Sequence, residues 1–165
     1  MSKKLRQYFG LLSAIAAYYL IHEGAHLLYA LFIGTFRQVR FTGLLGMQID
    51  VYAEAMSSVQ MGVFCLVASI ATAVAAYLLT ACSNRLVHHP SAAFKACMYY
   101  ITLALLFIDP LYLSILCGFF GGGDMNGIAL LLPEAVARII YGCILAVHAV
   151  LFFRIILPKY KAAFQ

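Results

Sequence analysis

The chain has 165 residues, of which 65% are hydrophobic and only 10% charged, with no Trp and a mean hydropathy of +0.95. A soluble domain runs near 45–50% apolar and about 25% charged, so this composition excludes a water-soluble globule, a disordered chain and a nucleic-acid-binding domain. The net charge of +5 is read as basic residues that flank hydrophobic spans and set their orientation.

One polytopic membrane domain is therefore expected over residues 1–165, with the lipid bilayer as its surroundings and no nucleic-acid partner. Cys65, Cys82, Cys97, Cys117 and Cys143 are scattered without a paired spacing. That pattern reads as small apolar residues and not as a disulfide framework.

Residues 1–7 are short and basic, with Lys3, Lys4 and Arg6. The apolar run over residues 8–33 is too long for a signal peptide and predicts the first transmembrane helix. Residues 36–52 alternate apolar and polar positions on both sides of a Gly-containing turn, which predicts a β-hairpin or re-entrant segment. Residues 57–80 carry no charge, are rich in Ala and Ser, and form the second predicted span. A polar connector covers residues 82–92, and a third span covers residues 93–120, interrupted by Asp109-Pro110. Gly121-Gly122-Gly123 then breaks the helix, and Asp124 is placed to cap a short helix over residues 125–132. The fourth span covers residues 134–157. The expected fold class is thus all-α, with about four transmembrane helices and a small hairpin.

Orientation follows from Lys and Arg. With the N-terminus inside, Lys3, Lys4, Arg6, Arg85, Lys95, Arg154, Lys159 and Lys161 fall on the inner side, and Arg37, Arg40 and Arg138 on the outer side. This bias places both termini in the cytoplasm. An integral, multi-pass protein of a bacterial cell membrane is the expected setting.

The strongest chemical signal is His22-Glu23-Gly24-Ala25-His26. Residues four apart share a helix face, so both imidazoles can hold one metal ion. Glu23, one residue on from His22, can reach a water beside the metal without ligating it. This is the H-E-x-x-H arrangement of zinc hydrolases. Three ionisable groups within five positions of a span are costly unless they share a partner, and a divalent cation supplies one.

A catalytic zinc takes three protein ligands. The candidates for the third are Asp109, Asp124, His148, Asp50 and Glu54. Asp50 and Glu54 read as solvated, and His148 as a buried imidazole bonded across helices. His88 and His89 lie in the connector at the opposite face and read as a surface pair. Asp109 and Asp124 remain. At the helical rise, His22 and His26 lie roughly 21 and 27 Å in from Tyr8, and Asp109 roughly 24 Å in from Ala93. Depth therefore favours Asp109. Asp124 overshoots a straight helix unless the three glycines fold the chain back, which membranes tolerate where backbone lines a cavity.

HEGAH inside a hydrophobic span, a hairpin-like segment after it, and a later Asp beside Gly together resemble the site-2 protease family of intramembrane zinc metalloproteases. The resemblance covers most of the chain in layout and about ten residues in motif. It implies one Zn2+ per chain, held by His22, His26 and Asp124, with Glu23 as catalytic general base. The family's Asn-x-x-Pro element has its nearest counterpart in Asp109-Pro110, which lacks the Asn and is more widely spaced. Asp109 accordingly stays as alternative ligand or as a substrate contact, and Asn126 as a candidate oxyanion donor or helix-start residue. The family's zinc is reached from the cytosolic side, whereas the charge bias puts His26 towards the outer face.

The expected activity is hydrolysis of a peptide bond in a transmembrane or membrane-associated polypeptide, with the hairpin clamping the substrate by strand addition. A partner subunit or a homo-oligomer is compatible with this layout. The competing readings are a membrane metal carrier or sensor, a transport-complex subunit with a degenerate protease fold, and a haem protein using His26 and His148.

Overall fold

A computed structural model describes residues 2–42, 46–121 and 123–164. Its first helix, α1, spans Lys3–Phe32. The helix starts five residues before the predicted span because Ser2 caps it, its side chain accepting from the Leu5 amide at 3.3 Å. A two-stranded antiparallel sheet follows, with β1 at Phe36–Thr42 and β2 at Gly46–Val51. Val39 pairs with Ile49 and Phe41 with Met47, and the register slips between Phe36 and Gln38. The predicted turn falls on residues 43–45, outside the described residues.

Helix α2, Ser58–Ala81, opens with a capping box in which Ser57 and Gln60 satisfy each other's amides. A short helix α3, Ser83–Val87, lies within the predicted polar connector. Helix α4 runs over Ala92–Phe120, and helix α5 over Gly123–Ile128. Helix α6 runs over Glu134–Ala163, six residues beyond its predicted end. Both α4 and α6 contain one π-helical turn, at Tyr112–Leu116 and Phe152–Ile156.

Pro110 does not interrupt α4 as the sequence suggested. Proline has no amide to give the carbonyl four residues back, which is that of Leu106. The Nδ1 atom of His148 lies 2.5 Å from the Leu106 oxygen and takes up that acceptor from α6. The helix thus continues, with the π turn just beyond the proline absorbing the irregularity.

The helices α2, α4 and α6 are long and apolar enough to cross a membrane. Large apolar side chains such as Ile139, Phe119 and Phe153 stand exposed on their outer surfaces. Although it has 30 residues, α1 is not among these three. Its basic start and the His22, Glu23 and His26 cluster dilute its apolar character, so the expected count of four is not reached by this measure.

The chain order makes α1 and α4 run one way and α2 and α6 the other. The contact between α1 and α4 is the most extensive in the fold. Ala30, Ile49, Phe64, Cys65, Leu113 and Met125 belong to one buried cluster that ties α1, β2, α2, α4 and α5 together. The hairpin packs at the far end of α1 from the termini, and α5 lies beside α2 at that same end.

Candidate metal centre

The sequence places Tyr18, His22 and His26 four residues apart, so α1 presents them as one stripe. Both imidazoles are buried, and their ring centroids stand 5.0 Å apart at 79°. Asp124 reaches them from α5. Its Oδ2 atom lies 3.2 Å from His22 Nε2 and 3.5 Å from His26 Nε2. One donor atom from each of the three residues falls within 4.8 Å of the others.

Glycine makes this approach possible. The turn from α4 into α5 uses positive φ at Gly121 (+91°) and Gly123 (+39°), a region that other residues resist. Gly122 lies outside the described residues. Asp124 sits in the first turn of α5, which spans Gly123–Ile128 where the sequence predicted residues 125–132. One turn on, Gly127 lets α5 press against α2. A Cβ there would stand 2.2 Å from Cys65 Sγ and 3.2 Å from the Met61 carbonyl oxygen.

The second nitrogen of each imidazole is occupied. His26 Nδ1 lies 2.8 Å from the Phe64 carbonyl oxygen, an atom that can only accept, so Nδ1 carries the proton. His22 Nδ1 lies 3.2 Å from Asp109 Oδ1 and 3.2 Å from the Tyr18 hydroxyl. Tyr18 donates to the same Asp109 oxygen at 2.5 Å, and Thr72 donates to the other. With Tyr18 and Thr72 both donating to a carboxylate, the natural donor from the ring is again Nδ1–H. In the neutral rings both Nε2 atoms then carry lone pairs that face the Asp124 carboxylate. Two such nitrogens, 3.2 and 3.5 Å from one carboxylate oxygen, are repelled by it unless a proton or a cation lies among them. Imidazole and carboxylate are the donor set that a borderline-soft divalent ion accepts, and the residues present fit zinc on that ground.

Glu23 is buried on the next position of α1, and its Oε2 accepts the Ile49 amide of β2 at 3.2 Å. The hairpin is therefore anchored on this carboxylate. A cavity of about 480 Å³ between α2, α4 and α6 reaches Asp109 and Thr72 from the other side.

The remaining sequence candidates are placed elsewhere. Asp109 is buried at the depth expected, but it meets the Nδ1 side of His22 and not the Asp124 side. Asp50 pairs with Arg40 at 3.3 Å and accepts from Gln38, and Glu54 is exposed. His148 has both ring nitrogens engaged, by Leu106 O at 2.5 Å and by the Tyr77 hydroxyl at 2.8 Å, which leaves it no lone pair to pair with His26 on a haem. His88 and His89 lie in the exposed connector. Asn126 is exposed, and among the described residues no hydrogen bond joins it to the cluster.

Sequence reasoning missed Tyr18 and Thr72. Tyr18 was legible as the residue one turn before His22 on the HEGAH face. Nothing in the sequence marks Thr72, which is one of several hydroxyl residues on α2. Compared with protein-family models, curated proteins and solved structures, the chain gives no match.

Proposed function

We propose that this chain is an intramembrane zinc metalloprotease with four spans, α1 being the fourth. His22, His26 and Asp124 hold the metal, and Glu23 is the general base. The observation that carries this reading is the convergence of two Nε2 atoms on one carboxylate oxygen, each imidazole being fixed from behind by an acceptor at Nδ1. Metal-ligating histidines use this arrangement to set the tautomer and ring orientation.

When bound, zinc lowers the pKa of a water and polarises the scissile carbonyl. Glu23 takes the proton from the attacking water and passes it to the leaving amine. The Ile49 amide holds the Glu23 carboxylate in one orientation, so the base does not swing onto the metal as a fourth ligand. Asp109, with Tyr18 and Thr72 on its oxygens, fixes His22 and stays off the metal.

The substrate is a polypeptide in or at the membrane. A transmembrane helix must unwind before its peptide bond can be attacked, and strand pairing offsets that cost. The two-stranded sheet leaves outer edges for such pairing, and β2 borders Glu23 through Ile49. An extended segment added there lies beside the base.

A non-enzymatic metal carrier would use the same three ligands but has no need of Glu23. The test is a pair of measurements on one variant. Glu23→Gln is expected to keep the zinc and lose cleavage of a membrane-embedded peptide. Undiminished cleavage by Glu23→Gln overturns the mechanism, and failure of the wild type to cleave any such peptide while binding zinc favours the carrier.

A further inference from the structure

A second built feature lies at the other end of α1, roughly 24 Å from His22 at the helical rise. Here the start of α1, the first turns of α4 and the last turns of α6 enclose a groove of about 540 Å³. Lys3, Arg6 and Lys161 line it, together with Tyr99, Tyr160 and Leu157.

Three facts set this groove apart from an ordinary basic rim. First, it holds no acidic side chain. The chain has six acidic residues, namely Glu23, Asp50, Glu54, Asp109, Asp124 and Glu134, and none lies on these three segments. Second, the aromatic ring of Phe164 organises the cations. The Arg6 guanidinium stands 5.6 Å from its centroid on one approach and Lys95 Nζ 5.6 Å on another. Lys95 is already spent on the Ala163 carbonyl oxygen at 2.8 Å, which leaves Lys3, Arg6 and Lys161 to meet a ligand. Third, Tyr160 is only 2% exposed, and its hydroxyl has no hydrogen-bond partner among the described residues. Buried hydroxyls are costly without a partner, and an acceptor oxygen in the groove would satisfy this one.

We propose that the groove binds the phosphate headgroup of an anionic phospholipid. The shared chemistry is a phosphate oxygen anion, met by Arg6 and Lys161 as charge partners and by Tyr160 as a neutral donor. A lipid is favoured over a free anion because the walls between the cations are apolar. Leu157, Ala96 and the ring of Tyr99 line the same groove, and they suit the glycerol and upper acyl carbons. An anionic leaflet also concentrates such headgroups where basic residues cluster at helix ends. The site is independent of the metal centre and stands whether or not the metal is catalytic.

The test is lipid retention by the full chain in neutral detergent, followed by native mass spectrometry. Phosphatidylglycerol and phosphatidylcholine are titrated separately, and inorganic phosphate is added as competitor. One phosphatidylglycerol is expected to bind at least tenfold more tightly than phosphatidylcholine, and equimolar inorganic phosphate is expected not to displace it. Arg6→Gln with Lys161→Gln is expected to lose tenfold or more. Tyr160→Phe is expected to lose several-fold without lowering the melting temperature, since the hydroxyl it removes has no partner among the described residues. The control is Lys4→Gln with Arg85→Gln, two exposed basic residues outside the groove, and it is expected to bind as wild type does. Equal retention of the two lipids, an equal loss in the control, or unchanged binding by Tyr160→Phe overturns the proposal. Displacement by equimolar inorganic phosphate overturns the lipid assignment in favour of a free phosphate anion.

Discussion

His22 Nδ1 lies 3.2 Å from Asp109 Oδ1, while the other nitrogen of the same ring lies 3.2 Å from Asp124 Oδ2. One imidazole is therefore held between two carboxylates. Asp109 is further tied by Tyr18 and Thr72 and has no freedom to approach the other side of the ring. Loss of an outer-shell partner of this kind typically costs 10–100-fold in metal affinity. Asp109→Ala is expected to fall in that range by competition with a coloured chelator. Asp109→Asn, whose amide oxygen still accepts from Nδ1, is expected to remain within about tenfold of wild type.

Glu23 and His22 are neighbours in sequence to which the proposed mechanism gives separate roles, and kinetics can divide them. General acid–base contributions are typically 10²–10⁴-fold. Glu23→Gln is expected to lower kcat by about that factor while zinc content stays constant, and the Gln side chain can still accept the Ile49 amide. A fall in zinc parallel to the fall in rate would make Glu23 a ligand.

Gly127 governs how closely α5 approaches α2. The Cβ of an alanine there would press on Cys65 Sγ and on the Met61 carbonyl oxygen, and backbone cannot yield cheaply. Overpacking of this kind costs about 1–3 kcal/mol. Gly127→Ala is expected to lower the melting temperature and to weaken zinc binding, since Asp124 rides on the same short helix. Cys65→Ala with Gly127→Ala is expected to recover part of both losses. No recovery would mean that the Met61 carbonyl is the dominant obstacle.

Cys82 and Cys143 are both exposed but in different surroundings. Cys82 follows α2 at the end of the bundle that carries both termini, whereas Cys143 lies inside α6. The orientation read from the basic residues predicts that a membrane-impermeant maleimide labels Cys82 only after cells are opened and leaves Cys143 unlabelled in either case. Labelling of Cys82 from outside intact cells would reverse the orientation read from the basic residues.

The HEGAH pair was legible because its geometry is local. Four residues along one helix fix the relation of His22 to His26 whatever surrounds them. Depth arithmetic also brought Asp109 level with His22, yet depth does not say which ring nitrogen a carboxylate meets. Asp124 was out of reach of that arithmetic, because it assumes a straight helix and the chain turns at Gly121 and Gly123. Pro110 misled in the opposite way. A proline reads as a break, but here His148, forty-two positions on from Leu106 in sequence, takes the freed carbonyl. The basic groove was legible only as flanking charge, since its shape depends on two chain ends meeting α4.

The most direct test of the metal centre is zinc stoichiometry by elemental analysis after purification without chelator, in wild type, His22→Ala, Asp124→Ala and Asp109→Asn. About one zinc per chain is expected in wild type and Asp109→Asn, and little or none in His22→Ala and Asp124→Ala. A wild type free of transition metal would contradict this expectation, as would zinc kept in Asp124→Ala and lost in Asp109→Asn.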